Sequence, residues 1–170
     1  MNSEQWRAYT QDLLARVEGE DPAEVQGATP ALLRERVAEA GGALRTRPEP
    51  NEWSVLELAG HIFDAEVYAT ARYRWVLAHD RPELPPFDQD LVATRLRHNE
   101  ADAGSLLDAF EALRGANLEL WQRTTPAERL RAGLHLEKGE LTYETLFREL
   151  AGHDRFHLAQ IERTLAAVAT

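Results

Sequence analysis

Apolar residues recur every three or four positions along most of this chain, which is the spacing of one buried face of an α-helix. The segment that follows Ser54 is the clearest case, because Leu58, Ile62, Ala65 and Ala69 fall on a single stripe. Applied to the whole chain, the spacing predicts helices over about residues 3–19, 30–41, 54–78, 88–98, 102–123 and 142–168. The pattern therefore indicates a mainly helical protein.

Capping residues mark where several of these helices begin. Ser54 is followed three residues later by Glu57, which is the capping-box pattern at a helix N-terminus. Thr29 and Pro30 form another strong start signal, an N-cap residue followed by proline at the first helical position. We therefore expect a helix to begin at Pro30 and the acidic segment 19–29 before it to be a loop.

Proline and glycine interrupt the helical pattern in three places. Residues 45–50 are expected to be a linker, the prolines of residues 82–86 break the helix before them, and Pro126 ends another. Residues 131–141 are expected to form either an irregular loop or a small extended excursion. Four long helices plus shorter ones predict an all-α fold, a four-helix bundle with additional short helices, forming one domain over residues 1–170.

Composition excludes several kinds of function. The chain has 170 residues, a net charge of −10 and no cysteine. The acidic charge argues against nucleic acid as a partner, and the lack of cysteine excludes disulfides, thiolate metal sites and a cysteine nucleophile. No apolar run approaches the roughly 18 residues that span a bilayer, and the polar start lacks a signal-peptide core. We therefore expect no membrane association and a cytoplasmic location.

The strongest chemical signal lies in the last predicted helix, where His153 and His157 are separated by four residues. That spacing places both imidazoles on one helical face, together with apolar residues that are expected to face the bundle interior. An unpaired buried polar group costs about 1–3 kcal/mol, and one metal ion would satisfy both rings. The pair therefore indicates a metal site.

His61 is the expected third ligand, because it lies on the apolar stripe about two turns after Ser54. Three protein ligands, with the remaining coordination positions open to water or substrate, are typical of a catalytic metal and not of a closed structural one. The sequence therefore predicts a metal site formed by His61, His153 and His157. A hydrogen-bonded core histidine is the alternative for His61 alone.

The residues within four positions of these histidines include two carboxylates and one amide that are candidates to support the site. Asp64 and Glu149 are placed to orient an imidazole or to replace a ligand, although a solvated surface carboxylate is the more common case for each. Gln160, three residues after His157, is expected to reach the same cavity.

The remaining histidines and the aromatic and arginine residues are assigned by general tendency. We expect surface positions for His79, His98 and His135. We expect core positions for Trp53, Trp121 and Tyr68. Most arginines are expected to face solvent. Three of them are nevertheless candidates to clamp a substrate carboxylate: Arg72, Arg74 and Arg114.

Two stretches of this sequence resemble the DinB-like (YfiT-like) superfamily of metal-dependent enzymes. One runs from residue 51 to His61 and contains Trp53-Ser54 before the histidine; the other runs from residue 139 to 161 and contains His-x-x-x-His followed by Gln160. The resemblance implies a four-helix bundle that holds one divalent metal, with zinc and nickel both found in the family. It maps the three metal-binding positions onto His61, His153 and His157.

The resemblance also implies a range of activities. The superfamily includes thiol S-transferases that use bacillithiol or mycothiol and a mycothiol-dependent isomerase, and dimers are common in it. The leading hypothesis is a metalloenzyme in which a low-molecular-weight thiol, activated by the metal, attacks an electrophilic substrate. One alternative is metal-assisted hydrolysis with Asp64 or Glu149 as general base. Another is a non-enzymatic scaffold or stress-response binding protein.

Overall fold

The computed structural model describes residues 3–86 and 88–169. Within them the helices are α1 (Ser3–Ala15), α2 (Pro22–Ala40), α3 (Val55–Ala78), α4 (Gln89–Leu96), α5 (Ala103–Arg123), α6 (Pro126–Arg129) and α7 (Tyr143–Val168). Short 3-10 turns lie at Gly41–Ala43 and His98–Glu100. The strands are β1 (Glu83–Leu84), β2 (Ala132–His135) and β3 (Gly139–Thr142).

The long helices α2, α3, α5 and α7 form the predicted four-helix bundle. Helix α7 packs against α2 and α3, and α5 packs against the same two helices on the opposite side. One apolar cluster lies near the sheet and includes Tyr73, Trp121 and Phe147. A second cluster, which includes Leu33 and Phe110, fills the other half of the bundle. Helix α1 lies outside the four and packs against α7.

The start of α2 differs from the prediction, because residues 22–29 are helical and not a loop. The N-cap is Asp21, whose Oδ1 accepts a hydrogen bond from the Ala23 amide at 2.8 Å, and Pro22 occupies the first helical position. Asp21-Pro22 and Thr29-Pro30 are the same kind of start signal. The earlier one begins the helix, and the later one lies inside it.

Pro30 remains inside α2 because another residue replaces the hydrogen bond that proline cannot make. Proline has no amide hydrogen to donate to the carbonyl four residues earlier, which here belongs to Gln26. Arg114 Nη1 donates to that carbonyl at 2.8 Å. A buried side chain from α5 therefore satisfies the interrupted backbone of α2.

The first helix is predicted to end near residue 19 but ends at Ala15, whereas the predicted starts of α3 and α7 agree with the structure. The Ser54–Glu57 capping box is present at α3, and Thr142 caps α7. Pro126 does more than end a helix, because it begins α6 behind a second capping box formed by Thr125 and Glu128.

The segment 131–141 takes the extended alternative. Strands β2 and β3 form an antiparallel hairpin, and β1 adds to β2 in parallel, which gives the order β1-β2-β3. The hairpin packs beside α3 and α7. It thereby brings His135 and Lys138 to the cavity described below. Among the described residues, a search for helices of membrane-spanning length and hydropathy finds none.

Candidate metal centre

The three predicted histidines meet between α3 and α7. His61 Nε2 lies 2.9 Å from His153 Nε2 and 3.1 Å from His157 Nε2. Ligand atoms of these three residues all lie within 4.8 Å of one another. His61 and His157 are buried and His153 is partly buried. Residues 92 positions apart in the chain therefore converge on one point.

Burial keeps these imidazoles neutral. It lowers the pKa of His61 to about 3, with smaller contributions from the charges that His157 and His98 would carry. Burial likewise lowers the pKa of His157 to about 4 and that of His153 well below its ordinary value. Neutral imidazoles have a free lone pair on one ring nitrogen, which is the form that binds metals.

The contacts among the three rings fit a shared ligand better than hydrogen bonds. His157 Nδ1 lies 2.9 Å from Gln160 Oε1, an acceptor, so the proton of this ring is on Nδ1 and its Nε2 is bare. His61 Nε2 faces two ring nitrogens and can donate to only one of them. Tetrahedral ligands at about 2.0–2.1 Å from a zinc ion are themselves separated by about 3.3 Å. The two contacts of His61 Nε2, at 2.9 and 3.1 Å, are close to this separation, so these rings are placed to hold a divalent ion together.

A glycine precedes two of the histidines and allows close packing there. A Cβ at Gly60 would overlap the ring of His98, and a Cβ at Gly152 would overlap the carbonyl of Leu13. The 3-10 turn that carries His98 can therefore lie directly on α3, and α1 can lie directly on α7. Each of these two close contacts lies one residue before a histidine of the candidate centre.

These glycines belong to a signal that the sequence analysis missed. The five-residue sequence Glu-Leu-Ala-Gly-His occurs at residues 57–61 and again at residues 149–153. Each copy ends at a histidine of the centre, one on α3 and one on α7. A search for short identical segments would have linked His61 to His153 without any structural information.

A cavity of about 110 Å³ opens onto the centre. His61 and His153 form part of its wall, and α1 closes one side with Trp6 and Tyr9. Arg72, Lys138 and Glu149 line it as well. The centre is therefore accessible to a small molecule.

The family of the chain follows from the match of its sequence to the model described as the DinB superfamily, which covers residues 24–161. The chain belongs to the DinB superfamily. The matched region contains all three histidines of the centre, so the resemblance noted in the sequence is confirmed.

Relatives within the superfamily carry names that refer to a metal. "Putative metal-dependent hydrolase OB0413" of Oceanobacillus iheyensis is 25% identical over 114 residues, which are 67% of this chain and 65% of that protein. "Putative metal-dependent hydrolase OB0782" of the same organism is 26% identical over 133 residues, 78% of this chain and 77% of that protein. The match to OB0413 thus spans just under two thirds of that relative's length.

A solved structure shares the fold. YfiT from Bacillus subtilis, described as "a probable metal-dependent hydrolase with an unusual four-helix bundle topology", superimposes with a TM-score of 0.78 at 22% sequence identity. The superposition covers 84% of this chain and 83% of YfiT. The DinB-superfamily chain therefore has the bundle architecture of YfiT.

Asp64, one of the two carboxylates considered for the centre, is engaged elsewhere. Its Oδ2 lies 2.6 Å from His98 Nε2, and both side chains are buried. The expectation that His98 is a surface residue is therefore wrong. The ring is covered because it packs on Gly60 and pairs with Asp64, neither of which is visible from its position near a helix end.

Glu149, the other carboxylate, borders the cavity. Its Oε2 accepts from Lys138 Nζ at 3.0 Å. Its Oε1 is buried, and no hydrogen-bond partner for that atom exists among the described residues. Glu149 is therefore buried, although a solvated surface position is the more common case for a carboxylate. Its Oε1 is available to a ligand.

Of the two remaining histidines, one is placed as predicted and one is not. His79 is exposed, as expected. His135 is buried, so its predicted surface position is wrong. Its Nδ1 accepts hydrogen bonds from the amides of Glu137 and Lys138. Burial, followed by the charges of Arg72 and Lys138, lowers the pKa of His135 to about 4.

The aromatic residues predicted for the core differ in their distance from the centre. Trp121 is buried and stacks on Phe147 in the apolar cluster near the sheet. Trp53 is partly buried, with its ring centroid 5.1 Å from that of His61. Tyr68 is partly buried and lines the cavity. The last two therefore contribute to the centre and not only to the core.

The three arginines that were singled out have different environments. Arg74 is exposed and Arg72 is partly buried against the cavity. Arg114 is fully buried, and its carboxylate partners belong to the protein, so it is not available to clamp a substrate carboxylate as predicted. It donates to Glu66 Oε2 at 2.8 Å and to Asp154 Oδ2 at 2.6 Å. This ion-pair group joins α5 to α3 and α7 beside the centre.

Proposed function

We propose that the protein is an enzyme that uses one divalent metal ion, zinc or nickel, to activate a low-molecular-weight thiol for attack on an electrophilic substrate. The observation that carries the proposal is the convergence of three neutral imidazoles, two of which form part of the wall of an accessible cavity. Imidazole donors suit both metals. His61, His153 and His157 would be ligands and would take no other part in the reaction.

In this scheme the nucleophile comes from outside the chain. The sequence contains no cysteine, and no serine or threonine lies among the described residues that line the cavity. When bound, a divalent ion lowers the pKa of a coordinated thiol or water and so supplies a nucleophile at neutral pH.

Protein side chains have two tasks in this scheme. Gln160 accepts from His157 Nδ1 and so holds that ring with its bare Nε2 toward the centre. Glu149 Oε1, which is buried at the cavity and free of protein partners among the described residues, is the group to accept the proton that the nucleophile loses. Asp64 is not available for this task, because His98 occupies it.

Metal content is the first test. We expect untagged protein to contain close to one equivalent of zinc or nickel, and His157→Ala to lose most of it while keeping its circular dichroism spectrum. His79→Ala, which removes an exposed histidine outside the centre, is the matched control and should keep its metal. Protein with little metal that is not restored by added zinc or nickel would instead support a non-enzymatic binding protein.

Dependence on thiol is the second test. Metal-loaded protein is incubated with a model electrophile and bacillithiol, mycothiol or glutathione, and conjugate formation is followed. We expect conjugate formation to require metal and to be lost in His157→Ala. Equal activity in that variant would refute the proposal.

Metal-dependent hydrolysis is the second candidate. The names of the relatives OB0413 and OB0782 favour it, and Glu149 would then deprotonate a water and not a thiol. The two candidates differ in one measurement, because hydrolysis of an ester or amide substrate proceeds without added thiol.

The family resemblance also supports a homodimer, in which a second copy of the chain is the partner. Analytical ultracentrifugation tests this proposal by measuring the mass of the protein in solution.

A further inference from the structure

Arg72 is placed on the same side of α3 as His61, but at the other end of the cavity. The two residues are eleven positions apart, which is close to three full helical turns, so Arg72 lies on the same face about 16 Å along the axis. Ala65 and Ala69 lie between them and line the cavity. Their small side chains leave room for a chain of methylene groups along α3.

The guanidinium of Arg72 is only partly satisfied by the protein. Its Nη2 donates to the Pro85 carbonyl at 2.6 Å. Its Nε is buried, and no acceptor for it exists among the described residues. No ion pair to Arg72 is found among the described side chains, whereas the buried Arg114 has two carboxylate partners. Buried polar groups are normally paired, so the free Nε of Arg72 indicates an acceptor from outside the chain.

Charges around the cavity favour a singly charged anion. Arg72 and Lys138 line it, and so do Glu137 and Glu149. Lys138 is paired with Glu149, and Glu137 is exposed at the rim. Arg72 has a cation–π contact with Tyr68, with its guanidinium carbon 6.0 Å from the ring centroid, and feels the charge of Glu149. No carboxylate oxygen among the described residues, however, lies within ion-pair distance of Arg72. Two nearby carboxylates would repel a doubly charged phosphate more strongly than a carboxylate.

We propose that this cavity binds a small molecule through a carboxylate group, and that Arg72 is the residue that holds it. The inference rests on the proposed function in that the molecule is taken to be the thiol cosubstrate, with its sulfur at the histidines. The cosubstrate class is then a thiol joined to a carboxylate by an aliphatic spacer along Ala65 and Ala69. Arginine suits this role because its planar fork matches the two oxygens of a carboxylate.

The test measures affinity for matched probe pairs. Nickel-loaded protein is titrated calorimetrically with ω-mercaptocarboxylates of increasing chain length and with the corresponding ω-mercaptoamides, which lack only the charge. We expect one chain length to bind best, and its carboxylate form to bind about tenfold to a hundredfold more tightly than the amide. Equal affinity for acid and amide at every chain length would overturn the proposal.

Arg72→Gln should abolish the preference for the carboxylate and leave amide binding unchanged. Arg123→Gln removes the same charge from an exposed position on α5 and should keep the preference. Arg72→Gln also alters the hydrogen bond to the Pro85 carbonyl, so Arg72→Lys is used as a second variant. It retains the charge without the fork and should recover part of the preference. A full preference in Arg72→Gln would refute the assignment.

Absorption spectra of the nickel-loaded protein separate this inference from the proposed function. A thiolate-to-nickel charge-transfer band reports whether sulfur reaches the metal. If the band appears with acids and amides and both reach half of its full intensity at the same ligand concentration, the proposed function stands and the role of Arg72 is refuted. If no thiol gives the band but aliphatic carboxylates without sulfur still bind in an Arg72-dependent way, the thiol chemistry is refuted and the carboxylate site stands.

Discussion

At the scale of single residues, the hydrogen-bond partners of the groups around the three histidines decide which of those groups are available for chemistry. Two carboxylates lie near the three histidines in sequence, and the structure separates them by their partners. Asp64 is paired with His98, whereas Glu149 has a buried oxygen that lacks a partner among the described residues. Sequence spacing makes the two residues equivalent, so only tertiary contacts distinguish them.

Glu149→Gln tests the role given to that free oxygen. The amide keeps an oxygen for Lys138 Nζ but cannot accept a proton from the nucleophile. We expect the rate of the metal-dependent reaction to fall by about 100-fold to 10,000-fold, which is the usual contribution of a general base. Metal content should not change, and both quantities are measured on the same sample.

Glu137→Gln is the matched control, because Glu137 lines the same cavity but is exposed at its rim. It should react within about threefold of the unaltered protein, since a surface charge contributes little. If both variants react at the same rate, Glu149 is not the proton acceptor.

At the scale of helices and strands, the site depends on two close approaches that only glycine permits. Helix α1 crosses α7 at Gly152 and the turn carrying His98 lies on α3 at Gly60. Because α1 forms one wall of the cavity, its contact at Gly152 determines the shape of the site as well as stability.

Gly152→Ala is expected to displace α1. The added methyl group would overlap the Leu13 backbone carbonyl, which cannot move as freely as the end of a side chain. We expect the free energy of unfolding to fall by about 1–3 kcal/mol, the usual cost of overpacking. Denaturant unfolding measures it, and quenching of tryptophan fluorescence by acrylamide should report a more exposed Trp6.

Gly115→Ala on α5 is the control for helix propensity. Nothing lies within 4 Å of a Cβ at that position, so the same substitution should stabilise the protein by about 0.5–1 kcal/mol. A stabilised Gly152→Ala variant would show that the contact with Leu13 is not restrictive.

Element boundaries show where local sequence is sufficient and where it is not. The starts of α3 and α7 follow from Ser54 and Thr142, because a capping side chain bonds within its own turn. The continuation of α2 through Pro30 does not follow from local sequence, because Pro30 is accommodated by a hydrogen bond from Arg114, 84 positions later in the chain. Proline is a reliable stop signal only where no distant donor replaces its missing bond.

At the scale of the whole molecule, the bundle and the convergence of the histidines could be predicted because both follow from helical periodicity. The apolar stripes determine which faces meet, and His61, His153 and His157 lie on those faces. The burial of His98, His135 and Arg114 could not be predicted in this way. Each of them is covered by elements far away in sequence, and each is kept by polar partners that periodicity does not reveal.

Arg114 offers the strongest test of whether such buried polar contacts stabilise the fold, because its ion pairs link three helices of the bundle. Burial alone would lower its pKa, but Asp154 and Glu66 raise it, so the guanidinium stays charged. Arg114→Met would leave both carboxylates buried without a cation. We expect the free energy of unfolding to fall by about 3–5 kcal/mol, which is typical when one partner of a buried ion pair is removed.

Arg34→Met isolates the effect of burial from that of the ion pairs themselves. Arg34 also bridges two helices and also bonds to two carboxylates, Asp108 and Glu111, but at the surface. Its loss should cost less than about 1 kcal/mol, because solvent screens exposed ion pairs. Adding Glu66→Gln to Arg114→Met should restore part of the lost stability, since one uncompensated charge is removed. Equal losses for Arg34→Met and Arg114→Met would mean that the helices are joined by apolar packing alone and that the buried ion pairs are incidental to it.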